Sequence, residues 1–198
     1  NDWLVLSGFK ITDDESAMLK KTEKMITALQ DAGVNTIRLP LNPPTVLQNF
    51  WPKYSSVISA ISTKGMKVLL AYWEAASSLD GKVDDTAAFR AMWDRVVNKY
   101  KYNANVYFEI MNEPHGYSIN ELKDLYAGWL SRYNVPRRRV VLDGAGYATD
   151  VNSIGDDNRF DSCLLSFHYY TWFNNGYKTS ADWELPVASL KYPERTIT

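Results

Sequence analysis

The feature of this sequence that most restricts its fold is a regular alternation of short apolar runs with segments of helical periodicity. In the first helical segment, Met18, Thr22, Met25, Ile26 and Leu29 fall on one face of a helix. The predicted strands are residues 4–6, 34–39, 66–73, 106–111, 139–143 and 162–168, and residues 195–198 begin a seventh. The pattern predicts strand–helix units along the whole chain.

Alternating strands and helices without long antiparallel hairpins predict an α/β fold with a parallel sheet and helices outside it. Such a sheet either stays open, as in doubly wound nucleotide-binding folds, or closes into a barrel. The open form should carry a glycine-rich first turn, but residues 7–10 read Ser-Gly-Phe-Lys, and no phosphate-binding glycine motif occurs. We predict a TIM-type (β/α)8 barrel forming one domain over residues 1–198, with about six βα units and the start of strand 7.

Charge and composition exclude several kinds of partner. The 198 residues carry a formal net charge of -1, so neither nucleic acid nor an anionic membrane is an expected partner. No stretch approaches the roughly 20 apolar residues of a membrane span, and the single cysteine, Cys163, is expected to be a buried thiol. Seven tryptophans and thirteen tyrosines are many for this length, and aromatic rings are also platforms for flat, C–H-rich ligands.

Polar and ionisable side chains directly follow strands that are otherwise apolar. A barrel places its chemistry at the carboxyl ends of its strands, so these residues should converge on one face. The strand ends read Arg38-Leu39-Pro40, Tyr72-Trp73-Glu74, Met111-Asn112-Glu113-Pro114-His115, Asp143-Gly144 and His168-Tyr169-Tyr170. The sequence therefore predicts a site centred on carboxylates.

Other common chemistries find little support. With only two histidines, a zinc site would have to depend on carboxylates. There is no G-x-S-x-G element for a serine nucleophile, and a cysteine in an apolar strand is a poor thiolate. Carboxylate chemistry remains, and glycoside hydrolysis needs one carboxyl as proton donor and a second as nucleophile or base. No cofactor or metal is expected.

The segment from Val106 to His115, Val-Tyr-Phe-Glu-Ile-Met-Asn-Glu-Pro-His, resembles the strand-four signature of glycoside hydrolase family 5. Arg38 at the end of strand two and the His168-Tyr169-Tyr170 element at the end of strand six follow the order of that family, and the similarity covers essentially the whole chain. The resemblance implies a retaining (β/α)8 glycosidase of the cellulase type.

The resemblance also implies roles for individual residues. Glu113 would be the general acid/base, and Asn112 would hydrogen-bond the sugar 2-hydroxyl. Arg38 would keep the nucleophilic carboxylate ionised. His168 and Tyr170 would complete the polar wall of the subsite at the cleavage point. Two structural alternatives stay open, Arg38 as an ordinary ion-pair partner and His168 as a core histidine.

Two departures from the family pattern matter. Many members carry a histidine at the end of strand three, where this chain has Trp73 and Glu74. The family nucleophile is a glutamate at the end of strand seven, and the sequence stops as that strand begins. We expect the nucleophile and strands 7–8 either in a further part of the polypeptide or on a second chain; a deliberately made fragment is the third explanation.

Five residues are candidates for substrate binding. They are Trp73, Glu74, Trp51, Trp172 and His115. Tryptophans in loops on the active face can stack on sugars, and Phe173 beside Trp172 has the same potential; simple loop packing is the alternative for each. Glu74 is either a subsite acid or an ordinary loop residue, and His115 suits packing or hydrogen bonding better than catalysis.

The sequence thus predicts a retaining hydrolase of β-glycosidic bonds in a polysaccharide or oligosaccharide, with an endo-β-1,4-glucanase as first choice. A β-mannanase, a xylanase and an exo-β-glycosidase are alternatives within the family, and a non-catalytic carbohydrate-binding fragment is the alternative class. An aldolase or isomerase is weaker, because no lysine or phosphate-binding turn marks a strand end. A start at Asn1-Asp2 suits a secreted, processed protein or a trimmed one.

Overall fold

Strands and helices alternate along the residues that the computed structural model describes, which are 2–74, 79–170, 172 and 174–198. The strands are β1 (Thr36–Leu41), β2 (Lys67–Tyr72), β3 (Val106–Glu109), β4 (Val140–Asp143), β5 (Leu164–Ser166) and β6 (Thr196–Ile197). The helices are α1 (Glu15–Asp31), α2 (Pro43–Leu47), α3 (Trp51–Thr63), α4 (Thr86–Tyr100), α5 (Ile119–Arg132), α6 (Ala145–Ala148), α7 (Val151–Gly155) and α8 (Ser180–Ala188). Within those ranges, no helix is both long enough and apolar enough to cross a membrane.

The predicted first strand, residues 4–6, is not a strand. The Leu4 amide donates to the Thr45 hydroxyl at 2.8 Å, which uses the group that a strand partner would need. Val5 is 36% exposed, so this apolar run is too short to bury its own side chains. The observed strands β1 to β6 correspond to the predicted strands two to seven.

The chain divides into two compact units: unit 1 comprises Asn1–Leu79 and Val83–Phe108, and unit 2 comprises Asp80–Lys82 and Glu109–Thr198. In unit 1, β1 and β2 pair in parallel from Thr36 opposite Lys67 to Leu41 opposite Tyr72. Five of the six residues of β2 are buried, as expected for a strand with helices over it.

Helix boundaries in unit 1 follow capping chemistry that is visible in the sequence. The Asp14 side chain accepts a hydrogen bond from the Ala17 amide and begins α1. Gly33, with φ of +80°, ends the same helix in the left-handed conformation that glycine adopts without strain. Asp85 caps α4 in the same way as Asp14, by accepting from Ala88.

A cluster of aromatic rings joins α4 to the strands of unit 1. Trp93 is completely buried, and its ring centroid lies 6.3 Å from that of Phe89 and 6.2 Å from that of Phe108 on β3. Both ring pairs are close to perpendicular, the geometry that aromatic quadrupoles favour. Phe89 also meets Tyr72 edge to face at 4.9 Å, so α4, β2 and β3 share one apolar cluster.

In unit 2, β4, β5 and β6 form parallel pairs. Asp143 lies opposite Ser166, and Ser166 lies opposite Ile197. The Ile110 amide donates to the Val141 carbonyl at 3.3 Å, which places the residues just after β3 beside β4. This register brings the carboxyl ends of β3, β4 and β5 together, because parallel strands end at the same edge.

Cys163 is completely buried just before β5, as the sequence predicts. Burial raises the pKa of its thiol above the usual value, with partial compensation from the nearby Arg137 guanidinium. The reactive thiolate is therefore disfavoured at neutral pH.

A capping box begins α5. The Ser118 hydroxyl accepts from the Glu121 amide, and the Glu121 carboxylate accepts from the Ser118 amide at 2.8 Å. These bonds, first from the Ser118 amide and then from its hydroxyl, lower the pKa of Glu121 below 4.5. The folded state thus prefers the ionised carboxylate, and the stabilisation is present above pH 4.5 and lost as the pH falls through the lowered pKa.

We therefore expect Glu121→Gln to lower the free energy of unfolding at pH 7 and to converge with the wild type as the pH falls below 4.5. Denaturant unfolding between pH 3 and pH 7 measures the difference, with Glu23→Gln, two turns into α1, as the control substitution. A difference that stays constant over this pH range would contradict the capping role of the ionised carboxylate.

Candidate active site

Glu113 lies in a strained turn shortly after β3. Its φ is +47°, in the left-handed region that residues other than glycine rarely adopt, and such backbone costs about 1–2 kcal/mol. The Glu113 amide donates a hydrogen bond to Asp143 Oδ2 at 2.9 Å. Hydrogen bonds to charged groups contribute about 1.5–3 kcal/mol, enough to offset the strain. The last residue of β4 therefore holds the backbone of Glu113 in place.

The Glu113 carboxylate is held by two side chains that follow β5. His168 Nδ1 lies 2.9 Å from Glu113 Oε1, and the Tyr170 hydroxyl lies 3.5 Å from the same oxygen. The side chains of Glu113 and His168 are 27% and 15% exposed, respectively. The carboxylate is thus oriented by the protein and still accessible from solution, as a proton donor to a substrate must be.

The second nitrogen of His168 faces the strands. His168 Nε2 lies 3.1 Å from Ser166 Oγ and 4.0 Å from Asp143 Oδ2. The pairing of Asp143 with Ser166 in neighbouring strands creates this arrangement. We call Glu113, Asp143, Ser166, His168 and Tyr170 the Glu113 cluster.

His115, which follows β3, connects the Glu113 cluster to the loop after β4. His115 Nδ1 lies 2.9 Å from the Glu113 carbonyl oxygen, and its ring stacks on Tyr147 with centroids 4.0 Å apart. Gly146, Tyr147 and Ala148 all have φ near +60°, so the nominal helix α6 is a tight left-handed turn. The His168 amide donates to the Ala148 carbonyl at 3.2 Å, which ties this turn to the cluster.

An aromatic surface adjoins the cluster. Tyr170 and Trp172 stack with ring centroids 4.5 Å apart and ring planes within 8°. Trp172 is 68% exposed, so much of its ring is accessible from solution. Phe173, the other predicted stacking residue, lies outside the described residues.

The remaining predicted site residues divide between the units. Asn112 is half-buried and directly precedes Glu113 in unit 2. In unit 1, the Arg38 guanidinium lies over the Trp73 ring at 5.7 Å from its centroid, and Trp73 is 39% exposed. Glu74 follows as a half-buried residue. The roles assigned to these four residues remain predictions.

Trp51 requires a correction. It was predicted as a loop tryptophan available to sugars, but it begins α3 and is only 3% exposed. Its ring packs on Tyr54 and meets Tyr100 edge to face. A ring that stacks on a sugar needs an exposed face, so Trp51 is a core residue instead.

The profile of the family described as "Cellulase (glycosyl hydrolase family 5)" matches residues 3–192 of this chain. The chain belongs to glycosyl hydrolase family 5. Endoglucanase H of Acetivibrio thermocellus is 24% identical over 167 residues, which are 77% of this chain and 18% of that protein. The resemblance inferred from the strand-four segment is thereby confirmed.

Solved structures of family 5 enzymes share this fold. The catalytic domain of a Thermobifida fusca endoglucanase superposes with a TM-score of 0.65 at 16% identity, covering 90% of this chain and 61% of the other. A variant of that domain in complex with cellotetraose gives a TM-score of 0.56 at 19% identity, covering 74% and 52%. These matches confirm the predicted TIM-type barrel fold, and the chain spans about half to two thirds of the solved catalytic domains.

The mechanism that the family resemblance implies needs no metal. One group of side chains nevertheless has donor atoms suitable for a metal ion. Within the described ranges, Glu109, Asp143 and His168 each offer a ligand atom, and these atoms lie within 4.8 Å of one another. Both carboxylates are completely buried. His168 also contacts Glu113, so an ion at this position would compete for His168 with the Glu113 carboxylate.

Sequence reasoning noted Asp143 only as a polar strand end and gave it no role. Ser166 and Tyr147 were not singled out either. The available signal for Asp143 was its position after three apolar residues at the end of β4, where barrel enzymes place functional groups. Its contacts with Glu113 and His168 depend on the register of β4 and β5, which a single sequence does not reveal.

Proposed function

We propose that the protein containing this chain is a retaining glycoside hydrolase that cleaves internal β-1,4 bonds of a glucan. The observation that carries the proposal is the contact of the half-buried Glu113 carboxylate with His168 and Tyr170 at the strand ends. Membership of family 5 and the name of the Acetivibrio relative, an endoglucanase, support this choice of reaction and substrate.

In the proposed reaction Glu113 protonates the glycosidic oxygen as the bond to the anomeric carbon breaks. A second carboxylate attacks that carbon from the opposite face and forms a glycosyl-enzyme. By the family resemblance, this nucleophile belongs to the end of the strand that begins at β6. Glu113, now ionised, then removes a proton from water as the water displaces the nucleophile, and the anomeric configuration is retained.

Substrate binding in this proposal relies on stacked rings and a polar wall. Trp172, exposed beside Tyr170, has the flat apolar face that the C–H surface of a glucose unit requires. The complex of the Thermobifida domain with cellotetraose supports a β-1,4-glucan as the ligand class. An insoluble or long polymer remains outside the cell, so we place the enzyme there as well.

The test is product analysis with the full-length protein on carboxymethylcellulose and on cello-oligosaccharides. Proton NMR within the first minutes of cellopentaose hydrolysis should show the β-anomer of the new reducing end before mutarotation produces the α-anomer. Viscosity should fall faster than reducing ends accumulate if internal bonds are cleaved.

Four other results of these experiments would each change the proposal. Initial appearance of the α-anomer would exclude the retaining mechanism. Faster cleavage of glucomannan or xylan than of carboxymethylcellulose would replace glucan as the substrate, and release of cellobiose without loss of viscosity would indicate exo action. Binding of cello-oligosaccharides with no cleavage would favour a carbohydrate-binding protein.

A further inference from the structure

Asp143 is the acidic residue of the Glu113 cluster that is shielded from solvent. It ends β4, a strand whose residues are all buried, and its own exposure is zero. The Tyr126 hydroxyl donates to the Asp143 carbonyl at 2.9 Å. Burial raises the pKa of Tyr126 well above its usual value, so this donor keeps its proton. The backbone that carries the Asp143 carboxylate is therefore fixed.

One oxygen of this carboxylate serves two elements of the Glu113 cluster. Asp143 Oδ2 accepts from the Glu113 amide at 2.9 Å and lies 4.0 Å from His168 Nε2. His168 in turn contacts the Glu113 carboxylate through its other nitrogen, Nδ1. Asp143 thus acts on Glu113 by two routes, through the strained backbone at φ of +47° and through the imidazole ring.

The second route determines which imidazole nitrogen carries the proton. A carboxylate near Nε2, with Ser166 Oγ at 3.1 Å, favours the tautomer with its proton on Nε2. In a neutral ring Nδ1 then has a lone pair, which can accept the proton of a protonated Glu113 carboxyl. That is the form in which Glu113 must wait before it donates to the glycosidic oxygen.

We propose that Asp143 is the positioning residue of the catalytic acid/base: it fixes the Glu113 backbone and holds His168 in the tautomer that accepts from protonated Glu113. This inference rests on the proposed function. Asp143 does not touch the substrate, and its role is the one that an aspartate has behind a catalytic histidine in serine hydrolases, where it sets tautomer and ring orientation.

The experiment compares Asp143→Asn in the full-length protein with Asp157→Asn, which removes a carboxylate of the same unit that pairs with Arg159. The asparagine can donate to Nε2 and so favours the opposite tautomer. On cellotetraose we expect kcat to fall about 10²-fold with KM nearly unchanged, the lower end of what acid–base catalysis contributes. The control should stay within about two-fold of the wild type.

A change of leaving group separates positioning from loss of structure. Dinitrophenolate leaves without protonation, so formation of the glycosyl-enzyme from dinitrophenyl β-cellobioside should be much less affected in Asp143→Asn. Added azide, which attacks without a general base, should then restore turnover and yield β-cellobiosyl azide. Equal loss on both substrates, with no azide effect, would overturn the proposal and leave Asp143 a structural residue.

Two further measurements keep the inference testable if the variant fails to fold. Nitrogen-15 NMR of the wild type should show a proton on Nε2 of His168, with the His168→Gln variant to identify the signals of that ring by their loss; a neutral ring protonated only at Nδ1 would refute the proposal. Loss of wild-type activity in EDTA, reversed by Mn²⁺, would make Asp143 a metal ligand instead. Failure of the wild type to cleave any glucan would overturn the proposed function itself.

Discussion

Replacing Glu113 by glutamine should lower kcat on cello-oligosaccharides by about 10²–10⁴-fold, the range that general acid–base catalysis contributes. Glutamine retains the shape of the side chain and can still meet His168, but it has no acidic proton for the glycosidic oxygen. KM should change little, because the hydrogen bonds of the ground state are largely kept. Steady-state kinetics of the full-length protein on cellotetraose measures both constants.

The matched control for this result is Glu184→Gln, which removes a carboxylate from the exposed surface of α8. Its kcat should remain within about two-fold of the wild-type value, since surface substitutions have small effects. Circular dichroism of both variants establishes that the fold is intact. A kcat for Glu113→Gln within ten-fold of the wild type would remove Glu113 from the role of acid/base.

Trp93→Ala should lower the free energy of unfolding by about 3–5 kcal/mol, the range measured for truncation of large buried aromatic residues. The ring is completely buried and contacts Phe89 and Phe108, so its removal opens a cavity between α4 and β3. Since folded proteins are stable by only about 5–15 kcal/mol, this loss removes a large share of the total and should lower the midpoint of thermal unfolding.

Denaturant unfolding monitored by circular dichroism measures this loss, because the substitution removes one of the seven tryptophans and so alters the fluorescence signal. Tyr102→Ala is the control: Tyr102 is an aromatic residue of the same unit that is 90% exposed, and its removal should change stability by less than about 0.5 kcal/mol. A loss below about 1 kcal/mol for Trp93→Ala would mean that the aromatic cluster contributes little to unit 1.

The sequence was sufficient for the strand–helix order because each element has an apolar pattern of its own. Strand β2 lies within the predicted strand at residues 66–73, and helix α4 lies in the segment between that strand and the predicted strand at residues 106–111. Residues 4–6 show where an apolar pattern is insufficient. Three apolar residues in a row do not indicate whether a partner strand is available, and a strand needs one. Trp51 was misplaced although Pro52 stands in the first turn of α3, where proline is typical of a helix start.

The sequence was sufficient to predict which residues form the site. It was not sufficient to predict the contacts among them. Glu113, His168 and Tyr170 could be grouped because strand ends meet in a barrel, and they do lie together in unit 2. The part played by Asp143 follows from one register, Asp143 opposite Ser166, and from a left-handed φ at Glu113. Neither is a property of the local sequence, so only the folded chain reveals them.

The left-handed backbone at Glu113 has a consequence for how this sequence can change over generations. Glycine, and to a lesser degree asparagine, adopts that backbone without the strain that a glutamate bears. Selection for thermodynamic stability alone therefore acts against glutamate at this position, whereas in the proposed mechanism selection for turnover acts in its favour. In a descendant lineage freed from the need to cleave its substrate, residue 113 is expected to drift toward glycine early, before the buried apolar residues of the strands change.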